Sequence, residues 1–277
     1  MSVAVVTDSG ACLPPSLARA HGIGVVELHT TETEGAWAAT SRPSVAELAG
    51  AYRRAAQRAE EVLALHLTAA LSGTIDNARQ AAAEVNDSGA GPVTVVDSGT
   101  SGGALALAAM AASRAPDARR AAALARESAS RSRLFFLVDD LTHLRRGGRI
   151  DRTTALLGGA LGVRPILEVT SGGIVVAETV RGAARARRHL IDRAVRAAGG
   201  AALSGPRPPM EPVRLALHYC DDPAAGRALE EDLAAAMVEA GAQVSSIMRS
   251  PVDAATRVHV GPGALAVVVA PTLEAHP

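Results

Sequence analysis

The stretch Val62–Val85, VLALHLTAALSGTIDNARQAAAEV, decides how the rest of the chain is read. It opens with an apolar run, VLALHL, short enough and suitably flanked for a strand buried in a parallel sheet. It closes with TIDNARQAAAEV, which puts Ile75, Ala78, Ala82 and Val85 on one helical face. Between them lies the turn Thr68–Thr74, with Ser72, Gly73 and Thr74 at its end. A strand feeding a helix through such a turn points unpaired backbone N–H groups and hydroxyls at one spot, which suits an anion. The simpler alternative is that Ser72 or Thr74 only caps its own helix.

Working outward, strand and helix patterns alternate on both sides of this unit. Upstream, Val3–Thr7 reads as a strand ending in Asp8-Ser9-Gly10, with a helix starting near Pro14 and a second strand at Gly24–Leu28. An irregular piece containing Trp37 leads to Thr40-Ser41-Arg42-Pro43-Ser44. There Ser44 and Glu47 form a capping box, and Pro43 holds Arg42 extended. Downstream come a strand at Val93–Asp97, a Ser/Gly/Thr turn, an alanine-rich helix, a helix near Asp117–Ser130 and a strand at Leu134–Val138. This pattern argues for an α/β domain with a largely parallel sheet over residues 1–148. Ser9, Ser72 and Ser98 each follow a strand end, so they are expected along one carboxyl edge, where ligands of such sheets bind.

The segment from Asp139 to Ile150 reads as a hinge, with Arg145, Arg146 and Arg149 flanking Gly147 and Gly148. Arg149 precedes an apolar helix expected at Ala155–Leu161 and is the arginine best placed to reach inward. Residues 149–277 then change character. A hairpin turns at Ser171-Gly172-Gly173, followed by a basic helix (Gly182–Ala198) and a Gly/Pro-rich loop. A strand at Val213–Tyr219, a helix at Pro223–Ala240, a strand at Gln243–Met248, a turn at Val258–Gly263 and a final apolar run complete an α+β domain.

Composition excludes several function classes. With 277 residues, 48% hydrophobic and 20% charged, at zero formal net charge, the chain has the profile of a soluble globular protein. No apolar run reaches bilayer length, and the N-terminus lacks a leader pattern, so a cytoplasmic location is expected. Aromatics are 2% of the chain and basic residues are dispersed, which argues against nucleic-acid binding. Cys12 and Cys220 form no metal or disulfide pattern and are expected as buried thiols; no cofactor is implied. All 28 basic residues are arginine. Schiff-base chemistry, a P-loop lysine and a lysine general base are therefore excluded.

Two functional readings remain. Gly99-Thr100-Ser101-Gly102-Gly103 fits G-x-S-x-G after a strand and before a helix, the setting of a nucleophile elbow. With Asp221 or Asp222 and then His259, it gives the chain order of an α/β-hydrolase-type serine esterase, although no HGGG-type oxyanion loop accompanies it. The second reading is a carrier for an acidic amphiphile.

Five segments, in order along the chain, support the second reading through a resemblance. They are Val6-Thr7-Asp8-Ser9 with Leu13-Pro14; Thr40–Ser44; Leu71-Ser72-Gly73-Thr74; Val138–Leu141 with Leu144–Ile150; and His259–Ala264. Together they resemble the DegV family of fatty-acid-binding proteins, the acyl-carrier subunits of bacterial fatty acid kinases. The resemblance implies two α/β-type domains and a tunnel, between or within them, that buries a long-chain fatty acid. It also implies a carboxylate held by Thr40, Ser72, Arg149 and His259, with Gly73 and Thr74 beside Ser72. Such a protein is not itself an enzyme; a separate ATP-dependent kinase subunit makes the acyl-phosphate. This sequence departs from the family pattern in a short Leu28–Thr40 segment, in Arg42 where Gln is usual, and in Gly10 and Cys12.

Overall fold

Val62, Leu63, Ala64 and Leu65 are all buried, although consecutive strand residues face opposite sides of a sheet. The strand they belong to is therefore covered on both faces, as the continuous apolar run implies. The computed structural model describes residues 2–31, 39–150, 162–199 and 211–273. The chain divides into two units: Met1–Ser130 with Asp253–Val258 and Leu273–Pro277, and Arg131–Val252 with His259–Thr272.

The first unit begins with β1 (Val3–Asp8), a 3-10 turn at Ser9–Ala11, α1 (Pro15–Ala20) and β2 (Gly24–Val26). The short strands β3 (His29–Thr31) and β4 (Ala39–Ser41) pair antiparallel as a separate two-stranded sheet. They are followed by α2 (Val45–Ala56), β5 (Glu61–His66), α3 (Thr74–Asp87) and β6 (Val93–Asp97). The helices α4 (Gly102–Ala112) and α5 (Ala118–Arg131) complete the run. The main sheet has the order β2-β1-β5-β6 with every pair parallel. Val6, Val62 and Ala64 pack with Leu48, Tyr52, Ala78, Ala82 and Val85 in one core. Residues Gly103 to Ala112 of α4 are all buried, and that helix packs on β1 and β5. A helix apolar all round belongs in a protein interior.

The second unit contains β7 (Arg133–Leu137), α6 (Thr142–Arg146), β8 (Val163–Thr170), β9 (Gly173–Arg181) and α7 (Ala183–Ala197). It continues with β10 (Val213–Tyr219), α8 (Pro223–Glu239), β11 (Val244–Pro251) and β12 (Leu265–Pro271). Between β11 and β12 runs α9 (Ala254–Val260), whose first residues are counted with the first unit. The sheet order is β11-β10-β12-β7-β8-β9. Only β10 and β11 pair in parallel; the other neighbours are antiparallel. Leu190 of α7 and Leu229, Leu233 and Met237 of α8 fill its core against Leu215, Leu217 and Val267.

Several sequence expectations shift. The strand near residues 134–138 does not join the parallel sheet: β7 pairs antiparallel with β12 and β8. The units accordingly divide at 130/131 rather than at 148/149. Thr40 and Ser41 lie in the strand β4, and His259 lies within α9 rather than in a turn. The helix expected at 155–161 and Trp37 fall outside the described residues. Cys12 and Cys220 are both buried thiols. Burial, then the charge of Asp253, pushes the Cys12 thiol well up, so it stays protonated. Among the described residues no helix is long and apolar enough to cross a membrane, and no group of His, Cys, Asp and Glu is placed to hold a metal.

The capping box forms as read. Glu47 N–H donates to Ser44 Oγ at 3.2 Å, and Ser44 N–H donates to Glu47 Oε2 at 2.8 Å. Ser44's hydroxyl and N–H and then His29 lower the Glu47 carboxyl from 4.5 to about 2. A depressed carboxyl stabilises the fold above its unfolded value and loses that contribution as pH falls. Glu47→Gln is expected to lower stability at neutral pH. Its difference from wild type should close as pH falls from 4.5 through about 2, read from denaturant midpoints across that range.

Candidate functional site

The Ser-Gly-Thr turn is held from below by a buried polar chain. Asp8, at the end of β1, and His66, at the end of β5, are fully buried, as is Tyr52 of α2. Asp8 Oδ2 lies 2.9 Å from His66 Nδ1 and accepts the Leu67 N–H at 3.0 Å. The Tyr52 hydroxyl lies 2.8 Å from His66 Nε2. Burial, then the charge of Asp8, drives the Tyr52 phenol above its ordinary value, so it keeps its proton and donates to Nε2. A carboxylate only accepts, so the His66 Nδ1–H is the donor to Asp8. This chain fixes the exit of β5, where the hydroxyl turn begins. Two polar residues at the ends of neighbouring apolar strands were its signal in the sequence.

Beyond Leu67 the turn is closed by backbone bonds. Thr68 N–H donates to Thr100 O at 2.8 Å, and Leu71 and Ser72 N–H donate to Thr68 O at 3.0 and 3.2 Å. Ser72 Oγ and Thr74 Oγ1 lie 2.9 Å apart. Thr74 is fully buried and Ser72 only partly. When Thr74 donates in that pair, Ser72 keeps its own proton for an outside acceptor. The cap position of α3 is Gly73, which has no side chain to cap with. Ser72 Oγ accepts the Thr74 N–H at 3.3 Å, so Ser72 does serve the helix start as the capping alternative has it, and its own proton is what remains for an outside acceptor. Ser9 and Ser98 do lie at the same carboxyl edge, but both are engaged. Ser9 Oγ accepts Leu28 N–H at 2.9 Å and donates to Asp253 Oδ2 at 3.0 Å; Ser98 Oγ donates to Thr100 O at 3.1 Å.

Arg42, which follows β4, reaches this turn. Arg42 Nη1 donates to Gly73 O at 3.0 Å, and Asn77 Nδ2 donates to Pro43 O at 2.8 Å. Thr40, Ser72, Gly73 and Thr74 all lie in the first unit.

In the second unit, α6 ends in a Schellman motif. Arg149 N–H donates to Leu144 O at 3.0 Å and Gly148 N–H to Arg145 O at 3.0 Å, with Gly148 at φ +69°. That geometry requires glycine at 148 and sends Arg149 away from the exposed Arg145 and Arg146. Arg149 donates from Nη1 to the Gly147 carbonyl, and burial pulls its guanidinium below the ordinary arginine value. Gly147 has an ordinary φ of −69°. It is glycine for room: a Cβ there would meet the His259 ring, with Cε1 only 3.1 Å away. The reciprocal contact also exists, since a Cβ on Gly261 would stand 2.6 Å from His143 Cδ2. Asp139 packs against Gly263 and accepts Arg164 Nη1 at 2.8 Å. The hinge and H-V-G-P-G segments thus interlock, and Arg149 and His259 meet at Gly147. His143, whose ring sets Gly261, had no signal in the sequence beyond its type.

The serine-esterase alternative is not favoured. Ser101 heads α4 with φ −154° and ψ −173°, ordinary extended backbone rather than the strained elbow that exposes a nucleophile. The Asp222 carboxylate accepts the Ala224 and Ala225 N–H groups at 2.8 and 3.1 Å as a helix cap.

A parallel α/β unit with a hydroxyl turn at its carboxyl edge, joined to a mixed-sheet unit carrying an imidazole and a guanidinium, defines the class. The chain belongs to the DegV family: the family model described as "Uncharacterised protein, DegV family" matches residues 27–272. A DegV domain-containing protein of Streptomyces coelicolor is 36% identical over 292 residues, covering 96% of this chain and 98% of the relative. The crystal structure of a DegV family protein from Corynebacterium glutamicum superposes with a TM-score of 0.84 at 32% identity, covering both chains fully. A DegV family protein from Thermus thermophilus, for which fatty-acid binding is described, superposes with a TM-score of 0.82 at 28% identity. It covers 98% of this chain and 100% of its own.

Gly261 has φ +73° and a ring in the way of any Cβ. Gly261→Ala is expected to lower unfolding free energy by about 1–3 kcal/mol, measured by urea denaturation.

Proposed function

We propose that this protein binds a long-chain fatty acid, with the tail in an apolar tunnel and the carboxylate held by Thr40, Ser72, Arg149 and His259. Gly73 and Thr74 frame the Ser72 contact. The observation that carries the reading is the start of α3, where the Ser72–Thr74 hydroxyl pair flanks a glycine cap position and Ser72 is only partly buried. Fatty-acid binding by the Thermus thermophilus relative supports it.

The chemistry is consistent with this assignment. A carboxylate is acceptor-only with about four lone-pair sites, and hydroxyls, an imidazole N–H and a guanidinium are all donors. Each charge-assisted bond contributes roughly 1.5–3 kcal/mol. Most of the affinity comes from the tail, at about 0.8 kcal/mol per buried methylene, or on the order of 8 kcal/mol for ten before ordering costs. The protein needs no nucleophile of its own. It presents the carboxylate to a separate ATP-dependent kinase subunit. There a carboxylate oxygen attacks the γ-phosphorus of ATP, the bond to ADP breaks, and an acyl-phosphate and ADP result.

Mass spectrometry of organic extracts from the purified protein is expected to reveal a long-chain acid. Finding no acyl species, and no uptake of added palmitate, overturns the reading. Ser72→Ala and His259→Ala should each lower palmitate affinity about tenfold, the loss of one charge-assisted bond, while thermal stability changes little. Arg145 and Arg146 are exposed and are assigned to docking the kinase subunit. Reversing both charges should abolish acyl-phosphate formation without altering palmitate binding, and unchanged phosphorylation would remove that assignment.

A further inference from the structure

Gly73 adopts φ −75° and ψ 13°, a conformation open to any residue. Backbone geometry therefore does not explain a glycine between Ser72 and Thr74. What occupies the space is Arg42. A Cβ on Gly73 would collide with Nη1 and lie 3.1 Å from Cζ and 3.4 Å from Cδ of that side chain. The guanidinium thus lies across the glycine, donates to its carbonyl at 3.0 Å, and stands 3.9 Å from Asp76 in the first turn of α3.

Arg42 sits two residues beyond Thr40, on a segment that needs an anchor. The strands β3 and β4 have three residues each and form their own two-stranded sheet. An isolated pair of this size is marginally stable by itself. Two hydrogen bonds join the end of β4 to the start of α3: Arg42 to Gly73 O, and Asn77 Nδ2 to Pro43 O at 2.8 Å. The second involves only the backbone of the Thr40–Ser44 segment. The first depends on the Arg42 side chain and closes directly on the residue between the two hydroxyls.

We infer that Arg42 is a positioning residue, clamping the Thr40 strand onto the Ser72-Gly73-Thr74 turn so that the two hydroxyls address one ligand headgroup, and that Gly73 is glycine to admit the clamp. The inference rests on the fatty-acid reading of this site. The guanidinium is already committed to Gly73 O and Asp76, so its role is to fix geometry rather than to bind the ligand itself.

The test compares wild type, Arg42→Ala, Gly73→Ala and the double variant for binding of palmitate and of 1-hexadecanol, which has the same tail and no carboxylate. Gly73→Ala keeps the Arg42 charge but displaces it from the turn. Both single variants should weaken palmitate about tenfold, and the double variant should be no weaker than either, as for two changes that break one interaction. Hexadecanol affinity should stay within about twofold throughout, since the tail contributes equally in every variant. Arg42→Lys, which keeps a donor within reach of the carbonyl, should recover part of the palmitate loss. Wild type that binds no palmitate removes the fatty-acid reading and this inference with it. Wild type that binds while both single variants match it removes the inference alone. A weak Arg42→Ala beside a normal Gly73→Ala also overturns the clamp, because charge without position would then suffice.

Discussion

A carboxylate buried where the first strand ends organises the first unit. Asp8 is shut off from water, and a polar group buried there costs free energy unless it is hydrogen-bonded. One oxygen takes the Leu67 N–H and the imidazole of His66, and the other lies buried on the side facing Gly10, where a Cβ would stand 2.9 Å from it. Those bonds tie the end of β1 to the end of β5. They set the direction in which the chain leaves the sheet, and everything from Thr68 to Thr74 is built on that exit. Removing one partner of a buried hydrogen bond leaves the other unsatisfied, at a cost of about 1–3 kcal/mol. Register here is a chemical requirement as much as a packing one.

Glycines in the candidate site serve two separable purposes. Gly148 and Gly261 have positive φ and let the backbone turn where a side chain would strain it. Gly73 and Gly147 have ordinary φ values and instead leave room for a neighbour: the Arg42 guanidinium in one case, the His259 ring in the other. The motifs S-G-T, R-R-G-G-R and H-V-G-P-G are therefore halves of contacts. Gly73, Gly147, Gly261 and Gly263 each face a polar or ring group supplied by a segment distant in sequence, whereas Gly148 looks onto open space.

How much of this was legible depended on range. The strand at Val62–Leu67 and the helix face of Ile75, Ala78, Ala82 and Val85 follow from local periodicity and appear in β5 and α3. The capping box and the β8–β9 hairpin, set by short spacings, also form as read. The strand β7 was found but misplaced, because an apolar run such as Leu134–Val138 states burial and not partner. Its neighbour β12 comes more than a hundred residues later, pairing Leu265 with Leu137. The Gly-Pro-Gly signal after His259 hid the helix before it, although Asp253 sits at its start and accepts Thr256 N–H at 3.1 Å. Tyr52, His66 and Asp8 escaped notice because each looks like an isolated polar residue until the parallel register sets β1 beside β5. Thr40, Ser72, Arg149 and His259 were named through motif resemblance, and pattern alone would have yielded only the Ser72 turn.

The first unit is not continuous in sequence. Asp253 belongs to it, accepts the Ser9 hydroxyl, and donates its own backbone N–H to the Cys12 sulfur. A nascent chain emerging from the ribosome therefore exposes the β1 end and the Ser9–Cys12 turn long before their last partner has been translated. Folding of this half cannot finish vectorially, one unit after the other, but waits until the chain has been made through Asp253. A gene fragment encoding only the first 130 residues would leave a buried hydroxyl and a left-handed cysteine without the carboxylate that completes them.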